Sequence, residues 1–117
     1  MTLLIVDDHD SFRSFARMLL TAEGFEVSGE ASDGESAVEA VKRLRPDVVL
    51  LDVQLPGIDG FEVARRLAEL TNAPRVVLTS SREASDYGRR LTGAPARGFI
   101  PKQDLSGAAL AELLEAA

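Results

Sequence analysis

Short apolar runs alternate with segments of helical periodicity along the whole of this chain. Between the runs, apolar residues recur every three or four positions, which is typical of amphipathic helices. Strict alternation of this kind favours a parallel sheet with right-handed crossovers and helices on both faces. The sequence therefore predicts an α/β protein with a doubly wound five-stranded parallel sheet and five helices. The predicted strands lie at 3–6, 25–30, 48–51, 75–79 and 99–100.

Local signals indicate where several helices begin. Ser32 and Glu35 have the spacing of a capping box at the start of the second helix. Asp59 is the predicted N-cap of the third helix. The fourth helix is predicted over 85–91, where the sequence is polar and offers few apolar anchors, and the last helix is predicted to begin near 104–106.

Composition excludes several classes of chemistry. The 117 residues fit one domain, 1–117. The absence of cysteine excludes disulfides, thiolate nucleophiles, zinc–thiolate sites and iron–sulfur clusters, and a single histidine excludes a multi-histidine metal site. A formal net charge of −6 argues weakly against direct binding of nucleic acid. No apolar run approaches the ~20 residues of a membrane span and no signal peptide is recognisable, so a soluble cytoplasmic protein is expected.

Polar side chains stand at the carboxyl ends of four predicted strands. Asp7 and Asp8 follow the first strand, Asp52 ends the third, Thr79 ends the fourth, and Lys102 follows the fifth. In sheets of this kind, ligands bind outside the carboxyl ends of the strands. Two carboxylates ~4 Å apart repel by roughly 4 kcal/mol at an effective dielectric of 20, so such a cluster holds either protons or a cation. Oxygen ligands without cysteine or a second histidine suit Mg²⁺.

Asp52 is the predicted nucleophile of this cluster. It ends the most apolar strand, at the centre of the set, and a loop with Pro56 and Gly57 follows it. A carboxylate can attack phosphorus to form an acyl phosphate. Lys102 would neutralise charge on the phosphoryl oxygens, and the hydroxyl of Thr79 would donate a hydrogen bond to one of them.

Each of these residues also has an ordinary structural interpretation. Either member of the first acidic pair could cap the following helix, and Asp52 alone is as consistent with a turn as with a nucleophile. Thr79 alone suits an ordinary strand end, Lys102 alone suits a solvated surface, and His9 is best interpreted as a loop or cap residue. The serines after the fourth strand are likewise interpreted as loop and cap residues. The joint placement of five groups at one edge of the sheet favours the functional interpretation.

Four motifs covering most of the chain resemble the receiver domain of bacterial response regulators, the phosphoacceptor part of two-component signalling. The "VDDH" opening and the "GFIPK" segment are most similar to receivers of the LuxR-type subfamily. The resemblance implies the sheet order 2-1-3-4-5. The motifs are LLIVDDH (Leu3–His9), PDVVLLDVQLPGIDGFEVARRL (Pro46–Leu67), RVVLTSS (Arg75–Ser81) and GFIPK (Gly98–Lys102).

The resemblance also implies the chemistry of the site. Asp52 would take a phosphoryl group from a partner histidine kinase, with small molecules such as acetyl phosphate as alternative donors. Mg²⁺ would be held directly by Asp8, Asp52 and the backbone carbonyl of Gln54, and mainly through water by Asp7. The domain itself is not expected to be an enzyme.

The resemblance further implies a switch. Lys102 would pair with the phosphoryl group, Thr79 would supply the switch hydroxyl, and Phe99 matches the aromatic switch position. The surface that changes would comprise the fourth helix, the fifth strand and the fifth helix. Expected partners are the cognate kinase, a DNA-binding output domain or partner protein, and a second copy bound through that surface.

Two other functions remain open from the sequence. A Mg²⁺-dependent phosphohydrolase with an aspartate nucleophile commonly carries a second acid two residues later, and Gln54 at that position argues against it. A pseudo-receiver that serves only for docking would not need all five polar residues. The chain could be a stand-alone receiver or the N-terminal half of a transcription factor.

Overall fold

A computed structural model describes residues 1–115, and Ala116 and Ala117 lie outside the described part. The described strands form one parallel sheet in the order β2-β1-β3-β4-β5. This topology confirms the predicted α/β fold and the order that the resemblance implied. The strands are Thr2–Val6 (β1), Glu26–Ala31 (β2), Val48–Asp52 (β3), Arg75–Ser80 (β4) and Gly98–Pro101 (β5).

Helices connect the strands on both faces of the sheet. No helix among residues 1–115 combines the length and the apolar character that a bilayer span requires. The helices are Asp10–Ala22 (α1), Gly34–Leu44 (α2), Gly60–Ala68 (α3), Arg89–Thr92 (α4) and Gly107–Glu115 (α5), with 3₁₀ turns at Ala84–Asp86 and Lys102–Asp104.

The central strands carry runs of consecutive apolar residues because both of their faces are covered. Side chains alternate along β1, so that Leu3 and Ile5 pack with α1 and α5 whereas Leu4 and Val6 pack with α2 and α3. All four side chains are essentially inaccessible to solvent. One hydrophobic core lies on each face of the sheet, and packing in both cores holds the carboxyl ends of β1 and β3 in fixed positions.

The N-caps of α2 and α3 follow from short acidic side chains. The capping box predicted for Ser32 and Glu35 is wrong, because Asp33 is the N-cap and its carboxylate accepts a hydrogen bond from the Ser36 N–H at 2.8 Å. An aspartate directly before the first helical residue reaches that donor, so the serine one position earlier is not needed. Asp59 is confirmed as the cap of α3, since it accepts from the N–H three residues later at 2.9 Å.

The polar fourth helix predicted over 85–91 is not continuous. A 3₁₀ turn at Ala84–Asp86 is followed by a break at Gly88, whose φ of +54° lies in the region that favours glycine. The α-helix itself is a single turn at Arg89–Thr92. The segment has few apolar side chains to pack on the sheet, and Tyr87 is its main anchor. Weak anchoring of this kind is typical of segments that change conformation.

Gly60 is expected to tolerate no larger side chain. A Cβ added there would lie 2.7 Å from Val53 Cα and closer still to the carbonyl oxygen of Asp52, both backbone atoms that cannot turn away. We expect Gly60→Ala to lower the free energy of unfolding by about 2 kcal/mol in urea denaturation, the cost typical of overpacking. Gly93→Ala, at an exposed glycine with φ of −87° where an added Cβ would lie 3.2 Å from the Arg89 carbonyl oxygen, is the milder comparison and should change it by no more than about 0.5 kcal/mol. Equal effects at the two sites would contradict this explanation.

Candidate functional site

The carboxyl ends of the strands bring the predicted polar residues to one edge of the sheet. Asp7 and Asp8 directly follow β1, and Asp52 is the last residue of β3. Thr79 on β4 is paired in register with Asp52, so both side chains leave the same region of the sheet. Lys102 begins the 3₁₀ turn that follows β5.

Lys102 makes the shortest ionic contact of the cluster. Its Nζ lies 2.6 Å from Asp7 Oδ2 and 3.4 Å from Asp52 Oδ2. The same ammonium group lies 4.5 Å from the centre of the Phe12 ring on α1, at a distance typical of a cation–π contact. Lys102 is therefore not a solvated surface lysine: its largely buried side chain places a positive charge between two buried carboxylates.

Asp7 is fully buried, with 0% of its surface exposed. Its Oδ1 accepts a hydrogen bond from the backbone N–H of His9 at 2.8 Å. Its Oδ2 accepts no hydrogen bond of proper geometry from the described residues, although Lys102 Nζ is close. Burial alone would raise the pKa of Asp7, but the interactions with Lys102 and His9 outweigh it and lower that pKa.

Asp52 is nearly as buried, with 2% exposed, but its charge is less well compensated. Burial, followed by repulsion from Asp7, raises the pKa of Asp52 from 3.8 to about 6. Lys102 and a hydrogen bond from the Gln54 N–H to Asp52 Oδ1, at 3.1 Å, oppose this rise only in part. Of the two carboxyl groups, Asp52 is therefore the one that holds a proton in mildly acidic solution.

The acidic cluster has the donor set that a divalent cation requires. Ligand atoms of Asp7, Asp8, His9 and Asp52 all lie within 4.8 Å of one another. Most of these atoms are carboxylate oxygens, which suit hard cations such as Mg²⁺. Buried Asp7 Oδ2, with no hydrogen bond of its own, is the kind of atom that a water ligand of such an ion would satisfy. The residues present therefore fit a magnesium ion, and the backbone carbonyl of Gln54 as a ligand stays a prediction.

The two predicted switch residues lie beside this cluster. The buried hydroxyl of Thr79 donates a hydrogen bond to the backbone carbonyl of Ile100 at 2.6 Å, and so it is directed to β5 rather than to Asp52. The half-buried ring of Phe99, also on β5, packs against the Tyr87 ring with centroids 6.0 Å apart. Movement of either side chain on phosphorylation stays a prediction.

Sequence reasoning missed a hydroxyl pair next to the switch residues. Ser80 is the buried last residue of β4 rather than a loop residue, and its Oγ lies 2.6 Å from the hydroxyl of Tyr87. The Tyr87 ring also meets Phe61 edge-on, at 5.6 Å between centroids. The one signal in the sequence is that Tyr87 is the only tyrosine of the chain and lies in its most polar helical segment.

Comparisons with known proteins agree with this arrangement. The family model described as "Response regulator receiver domain" matches residues 3–115. Response regulator GacA of Pseudomonas viridiflava is 40% identical over 115 residues, which are 97% of this chain and 52% of the relative. The DNA-binding transcriptional activator EvgA of Escherichia coli K12 is 33% identical over 104 residues, which are 89% of this chain and 51% of the relative. The chain thus spans about half the length of these curated relatives.

A solved structure extends the similarity to three dimensions. The signal receiver domain of the putative response regulator NarL from Mycobacterium tuberculosis superposes with a TM-score of 0.86 at 32% identity, covering 98% of this chain and 97% of that one. The likeness covers the whole α/β unit. The resemblance drawn from the sequence motifs, including the LuxR-type subfamily, is confirmed, and the chain belongs to the response regulator receiver domain family of two-component signalling.

Proposed function

We propose that residues 1–117 act as one receiver domain that accepts a phosphoryl group on Asp52. The observation that carries this proposal is the position of Asp52: a buried carboxylate at the centre of the sheet edge, 3.4 Å from Lys102 and within coordination reach of Asp7 and Asp8. A carboxylate in that position is short of compensating charge, as its raised pKa indicates. A divalent cation bound next to Asp52 would supply the positive charge that this carboxylate lacks.

In the proposed reaction an Asp52 oxygen attacks the phosphorus of a phosphohistidine or of acetyl phosphate, an O–P bond to Asp52 forms, and the P–N or P–O bond of the donor breaks to release the histidine or acetate. Asp52 must be ionised to attack, and its pKa of about 6 leaves it mostly ionised at pH 7 and above. Asp8, Asp52 and the backbone carbonyl of Gln54 would hold Mg²⁺ directly and Asp7 would hold it mainly through water, and the ion would supply positive charge that stabilises the transfer. Lys102 is close enough to contact a phosphoryl oxygen on Asp52, and that contact would compete with its ion pair to Asp7.

The output of the site is a change in the surface formed by α4, β5 and α5. A phosphoryl group adds roughly 1.5 to 2 negative charges and three strong acceptors beside Thr79. Thr79 would exchange its bond to Ile100 for one to a phosphoryl oxygen, and Phe99 would turn inward into the space that Thr79 leaves. The broken α4 segment is the element least bound to the core, so it is expected to respond most.

The partners follow from the family and remain part of the proposal. A histidine kinase would be the donor in the cytoplasm. Because the relatives GacA and EvgA are about twice as long as this chain, and EvgA is called a DNA-binding transcriptional activator, we propose a transcription-regulating output domain as the element controlled. A second copy bound through the surface of α4, β5 and α5 is a further candidate. The domain is proposed to be a switch and not a turnover enzyme.

Incubation with acetyl phosphate and Mg²⁺ tests this function. We expect one phosphoryl group per chain by intact mass, and loss of that label in Asp52→Asn, because an amide is not a nucleophile for this transfer. Asp47→Asn is the matched control, since Asp47 lies next to the opposite end of β3 and bonds Thr2. This control should label like the parent protein.

Three results would speak against the proposal. Continued labelling of Asp52→Asn would mean that another residue is the acceptor. Sustained hydrolysis of phosphomonoesters would indicate a phosphohydrolase. No label on the parent protein at saturating acetyl phosphate and Mg²⁺ would indicate a domain used only for docking.

A further inference from the structure

Tyr87 joins the segment 84–92, which contains the 3₁₀ turn and α4, to the interior of the protein. Its hydroxyl lies 2.6 Å from the Oγ of Ser80, the buried last residue of β4. The same Oγ accepts a hydrogen bond from the Arg82 N–H at 3.1 Å. Tyr87 directly precedes Gly88, where the segment breaks. One buried hydroxyl therefore holds both the loop after β4 and the residue at the break.

The Tyr87 ring lies between α3 and β5. It meets the ring of Phe61 at 5.6 Å and the ring of Phe99 at 6.0 Å between centroids, edge-on in both cases. Phe61 directly follows Gly60, whose backbone lies against that of Asp52. A path of direct contacts therefore runs from the backbone of the proposed acceptor, through Tyr87, to the aromatic side chain of β5.

A second polar contact of the same segment lies at the surface. Arg90 pairs with Asp59, the cap of α3, at 2.5 Å, but 61% and 39% of these two side chains are exposed. Exposed ion pairs contribute little to stability. Ser80 is fully buried, so breaking its bond to Tyr87 would leave a hydroxyl group without water to replace the partner. Of these two contacts, the hydroxyl pair is the one expected to fix the position of the segment.

We propose that Tyr87 is a positioning residue of the switch, and that its bond to Ser80 holds the segment 84–92 in the conformation of the unphosphorylated domain. Thr79 directly precedes Ser80, so movement of Thr79 toward a phosphoryl oxygen displaces Ser80 from Tyr87. The Tyr87 ring then no longer supports Phe99 in its half-buried position. The inference rests on the proposed function and adds to it the residue that couples β4 to α4.

Hydrogen exchange in the unphosphorylated protein tests the bond. Tyr87→Phe removes one hydroxyl and keeps the ring, and we expect it to accelerate amide exchange over 84–92 by roughly threefold to tenfold, the factor that one hydrogen bond supplies. Ser80→Ala should have at least this effect, and the double variant should match Ser80→Ala, because the two hydroxyls bond each other. Exchange in Tyr87→Phe as slow as in the parent would overturn the proposal.

The matched control is Thr92→Val. It removes an exposed hydroxyl of the same segment that bonds only to the Arg89 carbonyl, within its own helical turn. Exchange over 84–91 should stay within about twofold of the parent. Acceleration equal to that of Tyr87→Phe would overturn the proposal, because any loss of a hydroxyl in this segment would then have the same effect.

A second readout separates a switch residue from a purely structural one. We expect the amide resonances of α4 and β5 in unphosphorylated Tyr87→Phe to move part of the way toward their positions in the phosphorylated parent, because weakening one conformation raises the population of the other. Thr92→Val should not move them in that direction. Shifts of Tyr87→Phe that are confined to the neighbours of the substitution would overturn the proposal.

The single tyrosine of the chain gives a direct signal, since every tyrosine ring resonance of a tag-free protein comes from Tyr87. We expect these resonances to shift on incubation with acetyl phosphate and Mg²⁺, in step with the label on Asp52 measured by intact mass. Full labelling with unchanged ring resonances would overturn this proposal and leave the proposed function intact. Absence of label would contradict the proposed function, and the hydrogen-exchange comparison, which needs no phosphoryl donor, would still decide whether the pair holds the segment.

Discussion

Replacing Lys102 by methionine is expected to lower the free energy of unfolding by about 3 kcal/mol at pH 7 to 8 without divalent cations. Methionine keeps an apolar contact with Phe12 but removes the cation that lies 2.6 Å from Asp7 and 3.4 Å from Asp52. Two buried carboxylates would then face each other without a positive charge, and one of them would have to take up a proton. Urea denaturation in the presence of a chelator measures the loss.

Two further variants test the reason for this loss. Lys42→Met removes an exposed lysine that lies 3.7 Å from Glu39 on the same helix, and it should cost no more than about 0.5 kcal/mol. Adding Asp52→Asn to Lys102→Met should recover part of the stability, because one of the two repelling charges is gone. A double variant no more stable than Lys102→Met would show that the lysine acts through packing and not through its charge.

Asp52→Asn is expected to stabilise the metal-free protein by about 2 to 3 kcal/mol at pH 8 and to have little effect at pH 3.5. The raised pKa of Asp52 means that the folded state binds a proton more tightly than the unfolded chain does. This contribution to stability is fully present below pH 3.8 and is lost as the pH rises through about 6. A shift of about two pKa units corresponds to the stated energy at about 1.4 kcal/mol per unit.

The measurement is the free energy of unfolding across pH 3.5 to 8 with a chelator present. The parent protein should lose stability relative to the variant between pH 4 and 6, and the difference should be level above pH 7. Asp7 acts in the opposite direction, because its lowered pKa gives stability that is lost as the pH falls. Asp104→Asn, at an exposed position, is the control and should run parallel to the parent. A pH-independent difference between Asp52→Asn and the parent would contradict the raised pKa.

Most of the sheet and the members of the site were predictable because they depend on strong patterns. β1 and β3 each contain four consecutive apolar residues directly followed by an aspartate, and burial on both faces explains the apolar runs. Parallel strands end at one edge of the sheet, and the sheet order implied by the family resemblance then predicts that Asp7, Asp52 and Lys102 lie near each other. These inferences need the order of residues along each strand and, for the neighbours in the sheet, the family resemblance.

The remaining features depend on competition between partners of similar strength, which a pattern cannot decide. Asp33 and Ser32 are both good N-caps, and the aspartate prevails because it directly precedes α2. The conformation of the segment predicted as the fourth helix depends on the hydrogen bond between the hydroxyls of Tyr87 and Ser80, which joins this segment to β4. His9 could cap α1 or face the carboxylates, and the structure places it at the carboxylates.

In the switch proposed above, the hydrogen bond from Thr79 to Ile100 would set a threshold for signalling. A hydroxyl has one hydrogen to donate, so it cannot serve the Ile100 carbonyl and a phosphoryl oxygen at once. Leaving the carbonyl without that donor in a buried setting costs about 1 kcal/mol or more, and in the proposed switch this penalty would favour the conformation of the unmodified domain. Spontaneous activation would then be suppressed, because a phosphoryl oxygen would have to offer Thr79 a stronger hydrogen bond than the one it already makes to Ile100 before the output surface responds.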